Sequence, residues 1–395
     1  MYFSIDITMV VACLLGAAAV LAALRGAWVL HRATIIKRHS KHEIEQLAEE
    51  ELPSEQPPVS VIVYAHNDAE HLLEWLPMML QQDYPKYEVI VVDDGSTDNS
   101  KNLLSDMLIE HENLRMTFAP EGSRALSRKK LAIMIGMKAA RYEYVVLTNA
   151  NCNVPGEQWL EVIMRNFEPG TDVVLGYSHY DYSDDHNRGK RYRVYDNLTV
   201  ASQFLSSAIK HRPYRGVSDN LALRRDVFFD NTGFSKNMHL RWGEDDVWVS
   251  EIANGDNTRV AIAPQAIVTA HYDNTAQAYH ELKLRRDFTS RRVSHRGAMI
   301  MQGIMSCANY CRLGTIAAAV AFDYQNIFTI AVAAVVLIAS WIPEILAMRN
   351  TANVLDAPKL CLSVPLNALK RPIVNLWYRW RGHQVRTSNF TAVID

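Results

Sequence analysis

The sequence predicts an α/β fold, a doubly wound and mostly parallel sheet, with an N-terminal transmembrane helix and a C-terminal membrane hairpin. Three observations predict it. From residue 58 onward, short apolar strands alternate with stretches of helical apolar spacing. An almost unbroken apolar run fills residues 7–24, close to the roughly twenty residues that cross a bilayer. Two more apolar runs, 299–322 and 327–342, lie near the C-terminus.

The first run is interrupted only by Thr8 and Gly16, and Trp28 stands where an interfacial anchor sits. A cleaved signal peptide is the rival reading. It would place its basic residues before the apolar core, whereas Arg25, Arg32, Lys37, Arg38 and Lys41 follow it. The expectation is a retained anchor over residues 1–30 with its N-terminus outside, then a charged linker or short helix over 31–57.

A continuous apolar strand follows at 59–64, with "AEHLLEWLPMMLQQ" as its helix. "YEVIVV" at 87–92 is the second strand, ending in the polar turn "DDGSTDNS" and a helix through Glu112. "RMTF" is a third strand, "SRKKLAIMIGMKAA" a helix and "YEYVVLT" a fourth strand. Strands that are apolar on both faces belong to a parallel sheet covered on both sides. This domain is expected over 58–296, a hairpin over 297–348 and a cytoplasmic tail over 349–395.

Charge placement supports the hairpin. Lys283, Arg285, Arg286, Arg291, Arg292 and Arg296 precede it, and Arg349, Lys359, Lys370 and Arg371 follow it. The connection "FDYQN" carries no positive charge, so both ends of the hairpin read as cytoplasmic. Asn309 and Arg312 interrupt its first half, and an interfacial helix is the alternative there. The formal net charge of −2 gives no argument for nucleic acid. The five cysteines show no ligand or disulfide spacing, which suits a reducing compartment.

In a sheet of this kind ligands bind beyond the C-terminal strand ends. There is no GxGxxG and no GxxxxGK[ST], so neither a dinucleotide nor a P-loop phosphate site is signalled. The strand ends offer "DDGS" instead. Asp93 and Asp94 can accept hydrogen bonds from a base or ribose, and Asp98 and Asn99 are read as caps of the following helix.

"PVSVIVYAHND", "YEVIVVDDGSTDNS", "LSRKK", "VLTNANCNVPGEQWLE" and "GEDDVWVSEIA" occur in the order seen in the family-2 glycosyltransferases of GT-A fold. The chain resembles the membrane-anchored bacterial members, which build cell-envelope polysaccharides. The resemblance covers about residues 58–292 and carries roles with it. Tyr64, Ala65, Asp93 and Asp94 would hold the base of a nucleotide sugar, first of all a UDP-sugar. Lys130 would lie near the donor phosphates, although a helix-surface lysine is the plain alternative. Asp245 would be the general base toward an acceptor hydroxyl on a sugar or lipid-linked molecule, with Glu244 in support. The plain alternative for "GEDD" is stabilisation of a helix N-terminus. The implied location is the cytoplasmic membrane, with the catalytic domain facing the cytoplasm.

Two departures qualify the resemblance. "HELKLRRDF" lacks the Gln and Trp of the family's Q-x-x-R-W element but keeps Arg285 and Arg286, so processive synthesis is not supported. Asn149 and Asn151 stand where the family's D-x-D aspartates hold a metal. Neutral amides bind hard cations poorly, so either no metal is required or Mg²⁺ or Mn²⁺ binds weakly. Lys129, Lys130, Arg285 and Arg286 would then meet the diphosphate. The expected activity is sugar transfer with inversion. The alternative is a catalytically silent nucleotide-sugar-binding subunit that supports a partner transferase.

Overall fold

The computed structural model describes residues 6–49, 56–120, 127–183 and 189–382. Helix α1 (Ile7–Glu49) leads into the alternating region β1 (Val59–Ala65), α2 (Ala69–Leu80), β2 (Tyr87–Asp93), α3 (Ser100–Glu110), β3 (Leu114–Phe118), α4 (Arg128–Ala139) and β4 (Tyr144–Asn149). Then come β5 (Cys152–Asn153), α5 (Trp159–Met164), β6 (Val173–Leu175), β7 (Tyr177–Tyr180), α6 (Lys190–Ile209), β8 (Leu221–Arg224), α7 (Arg225–Asp230) and α8 (Val247–Ile252). The remainder is β9 (Thr258–Val260), β10 (Ile267–Ala270), α9 (Thr275–Ser290), α10 (Gly297–Phe322), α11 (Ile327–Val354) and α12 (Val364–Gly382).

The main sheet has the order β3-β2-β1-β4-β8-β6-β9. β1, β2, β3 and β4 pair in parallel, as do β6 and β9, while β8 runs antiparallel to both its neighbours. The apolar residues of "VSVIVYA" and "YEVIVVD" are buried on both faces, as an interior parallel strand requires. Strand order reverses between β1 and β4, so a crevice opens at Tyr64 and Asn149, which are paired in register. A smaller sheet, β5-β10-β7, continues one wall of that crevice.

Local signals act as their chemistry requires. Asp98 accepts from the Ser100 amide at 3.1 Å and from the Ala69 amide at 3.0 Å, so one carboxylate serves the starts of both α2 and α3. Asn99 makes no side-chain capping bond. Gly95 has φ +74°, which lets "DDGS" turn sharply after β2.

Among the described residues, three helices, α1, α10 and α11, are long and apolar enough to cross a membrane. The described part of 31–57 differs from a linker, because α1 continues unbroken to Glu49. Arg25 and Arg32 differ from the exposed basic flank expected of them. Both are buried, with Arg25 paired to Glu344 of α11 (Nη2 to Oε2 3.1 Å). Arg312 faces inward as well, 4.3 Å from the Trp341 ring centroid, which reconciles a cation with an apolar helix. The part of the tail described includes α12, whose Arg371 donates to Asp196 of α6 at 2.6 Å. Lys283 of α9 reaches the same carboxylate at 3.0 Å, and Tyr279 donates to it at 2.9 Å. Burial would push the Asp196 carboxyl up, but Lys283, Arg371 and Arg286 hold it well below its ordinary value.

Candidate active site

The β1/β4 crevice widens into a cleft of about 420 Å³ between the strand ends, α6 and α9. Its polar lining includes Lys129, Asn149, Arg215, Asp219, Asp245, Arg285 and Arg286.

Three consecutive basic residues open α4, and the helix sends them in three directions at about 100° per residue. Arg128 pairs with Asp94 at 2.6 Å. Lys129 enters the cleft, donating to Ser218 at 3.0 Å and lying 5.4 Å from the Tyr64 ring centroid. Lys130 turns inward, with none of its surface exposed, and donates to the carbonyls of Asn237 (2.6 Å), Leu240 (3.1 Å) and Trp242 (3.1 Å). Burial lowers its pKa to about 8, against the raising influence of Glu244 and Asp246. Lys130 therefore fixes the loop leading to "GEDD", and of the two lysines it is Lys129 that lines the cleft.

Asp94 also accepts from the Tyr64 hydroxyl at 2.9 Å, and its amide donates to the Ala65 carbonyl at 2.9 Å. Tyr64, Ala65 and Asp94 are thus brought together. Asp93 is different: its Oδ1 accepts from the Ser96 amide at 3.0 Å, so it shapes the turn.

The two asparagines do not converge. Asn149 lines the cleft and donates to the carboxylate of Asp219, which also accepts from Ser178 at 2.9 Å. Asn151 donates to the His271 carbonyl at 2.8 Å and is bound into the small sheet. Asp219 gives no sequence signal beyond its place in "GVSDN". It is placed by its neighbour Asn220, whose buried amide donates to Tyr177 (3.0 Å) and Ala266 (2.6 Å). Gly176 permits that approach, since a Cβ there would collide with the Asn220 side chain.

At the other wall, Arg285 of α9 bonds both Asp245 and Glu244, the latter at 3.0 Å. Burial favours the neutral form of Asp245, but Arg285, then Lys129 and Arg215, hold its carboxyl below the ordinary value. Among the described residues, Asp245 Oδ1 has no hydrogen-bond partner although it is buried. Glu244 also accepts from the Gly243 amide at 3.0 Å. Asp246 is the helix cap, accepting from the Val247 amide at 2.9 Å and pairing with Arg215 at 3.1 Å. Burial and the neighbouring Asp245 push its carboxyl up. Arg286 lines the cleft and donates to Asn197 at 2.9 Å.

The described residues contain no group of three His, Cys, Asp or Glu side chains able to hold a metal. What they offer at the end of β4 is a carboxylate, Asp219, beside Asn149 Oδ1, which has no hydrogen-bond partner among the described residues. Such a set fits a hard divalent ion only when substrate phosphate oxygens complete it.

The family model described as "Glycosyl transferase family 2" matches residues 60–231. The chain is 29% identical over 200 residues to the glycosyltransferase AglE of Haloferax volcanii, covering 50% of this chain and 62% of that one. It is 30% identical over 128 residues to the glycosyltransferase GlyG of Streptococcus pneumoniae, covering 32% of this chain and 41% of that one. The chain thus spans less than two thirds of either relative. The solved mannosyltransferase PcManGT of Pyrobaculum calidifontis, in complex with GDP-Man and Mn²⁺, superposes with a TM-score of 0.54. It is 19% identical and is matched over 91% of this chain and 99% of its own, so the two share the GT-A fold.

Proposed function

We propose that the protein is a membrane-bound, inverting glycosyltransferase that moves a sugar from a nucleoside-diphosphate sugar to an acceptor hydroxyl. The observation that carries this reading is Asp245, which lines the cleft, is bonded by Arg285 and has an Oδ1 that is buried without a hydrogen-bond partner among the described residues. A carboxylate so placed takes the acceptor's proton as its oxygen attacks the anomeric carbon. The bond to the diphosphate breaks on the opposite side, and the leaving group keeps the electron pair. Lys129, Arg215 and Arg286 share the cleft and stabilise that growing negative charge. Tyr64, Ala65 and Asp94 form the base side of the donor site, with a UDP-sugar as the first candidate donor. A divalent ion bound with donor would be held by Asp219 and Asn149, and would neutralise diphosphate charge.

In the same reading α1, α10 and α11 span the cytoplasmic membrane, with the domain inside and residues 323–326 outside. External labelling of a cysteine at Asn326, against a reporter after Asp395, tests this; an external C-terminus overturns the hairpin. A second reading, a silent nucleotide-sugar-binding subunit that supports a partner transferase, draws on the asparagine at position 149. Donor hydrolysis and transfer by the full-length protein, with Mn²⁺ or EDTA, separates the two. Donor binding without turnover on sugar and lipid-linked acceptors would establish the silent subunit.

A further inference from the structure

A second cavity, about 810 Å³, opens where α1 and α10 leave their apolar runs. It shares no lining residue with the cleft, and α6 turns different faces to the two: Asn197 and Phe204 to the cleft, Gln203 and Ser206 to this cavity. Its walls carry His31, Arg32, Lys210, His211, Arg212 and Arg296, and no carboxylate stands among the described residues that line it.

Among the described residues, no carboxylate forms an ion pair with these basic groups. Lys210 donates to His31, so two basic side chains meet with no acid between them. Arg32 is only 8% exposed, and its guanidinium meets neutral acceptors: Gln302 Oε1 at 3.0 Å and the Thr199 carbonyl at 3.2 Å. Its Nε is buried without a partner. A buried cation without a counter-charge is costly. The start of α10 adds positive potential, because its cap residue Arg296 offers no side-chain acceptor.

Apolar surface adjoins the same cavity. Trp28 and Met301 line it, and Ile300, Met301 and Ile304 lie exposed along the first turns of α10. A ligand suited to both features joins a phosphate to hydrocarbon.

We propose that this cavity binds the phosphate of an anionic membrane phospholipid, at a site separate from the donor cleft. The phosphate receives charge-assisted hydrogen bonds from Lys210 and Arg212, Trp28 sits at headgroup level, and the acyl chains run along α10. The inference rests on the reading of α1 and α10 as membrane spans.

The test uses full-length protein in detergent, titrated with short-chain phosphatidylglycerol or phosphatidylcholine and read by native mass spectrometry. Phosphatidylglycerol should bind roughly tenfold more tightly or better, given the contribution of several basic residues near an anionic headgroup. The exposed pair Lys210→Gln with Arg212→Gln should abolish that preference, while Lys37→Gln with Lys41→Gln, outside the cavity, should keep it. Inorganic phosphate and glycerol phosphate at equal concentration should not displace the lipid; displacement would assign the site to a soluble phosphate and overturn the proposal. An equal affinity for both lipids, or a preference that survives Lys210→Gln with Arg212→Gln, would overturn it too. Carbonate extraction separates the two levels of failure. A chain released by carbonate overturns the membrane reading together with this inference, whereas a retained chain without anionic preference overturns the inference alone.

Discussion

Asn149 turns its amide nitrogen toward the carboxylate of Asp219, so an acid stands beside the end of β4 although β4 itself supplies none. The loop before β8 delivers it. This pairing decides what substitution at the strand end should do. Asn149→Asp would set two carboxylates side by side, which repel each other and the donor diphosphate. Without metal the variant should bind donor more weakly than the natural protein, and Mn²⁺ should restore or exceed natural affinity. Asn151→Asp should give no such metal response, because that side chain faces the His271 carbonyl. Donor titration by calorimetry with Mn²⁺ or EDTA checks both. Identical binding by Asn149→Asp under the two conditions would remove Asn149 from the diphosphate site.

Asp245 and Arg285 predict the acid side of the pH profile. A carboxyl held below its ordinary value stays ionised, and competent as a base, below the usual carboxylate range. Turnover should therefore fall on the acid side only below about pH 4. Arg285→Gln removes the nearest cation and leaves burial to push Asp245 up, so the acid limb should move upward. Asp245→Asn should slow transfer about a hundredfold or more with donor affinity nearly intact. Full turnover by Asp245→Asn would return "GEDD" to helix capping alone.

The two neighbouring lysines should separate cleanly. Lys129→Met should weaken donor binding by about 1.5–3 kcal/mol, the cost of a lost hydrogen bond to a charged group, with little change in melting temperature. Lys130→Met should instead lower the melting temperature, since three carbonyls of the 237–242 loop lose their shared donor. Thermal unfolding beside donor titration reads both, and an unchanged melting temperature in Lys130→Met would contradict its anchoring role.

Asp94→Ala should weaken nucleotide-sugar binding by about 1.5–3 kcal/mol. The same variant leaves Arg128 without its carboxylate partner. Arg128→Met is therefore the control: it removes the ion pair but keeps the acceptor, and should cost less. Equal losses in the two variants would assign Asp94 to holding Arg128 rather than the base.

Asp196 ties α12 and α9 to α6, and its carboxyl lies well below its ordinary value in the folded protein. Such a group contributes stability that is present above the unfolded value near pH 4 and lost as pH falls through the folded one. Asp196→Asn leaves Lys283 and Arg371 without a counter-charge and should cost about 3–5 kcal/mol. The variant's stability should also depend less on pH below about 4. Limited proteolysis should cut α12 sooner in the variant; equal protection would show that the apolar contacts of α12 suffice.

The sequence by itself determined the alternation of strand and helix, the strand ends at which the site lies and the three apolar helices. Each is written in local periodicity: strands apolar on both faces, helices apolar at 3.6 spacing, runs long enough to span hydrocarbon. The family resemblance implied the meeting of Tyr64, Ala65 and Asp94, and the parallel pairing of β1 with β2 brings them together. Only the tertiary structure decided which lysine of "SRKK" enters the cleft, since that depends on the rotational phase of α4 against the sheet. The acid opposite Asn149 was likewise decided there, because Asp219 is seventy residues further along the chain and sits in a loop without periodicity. The buried arginines of α1 and α10 follow the same rule. A basic residue beside an apolar run reads as an exposed flank until a partner such as Glu344 or Trp341 is brought against it by packing.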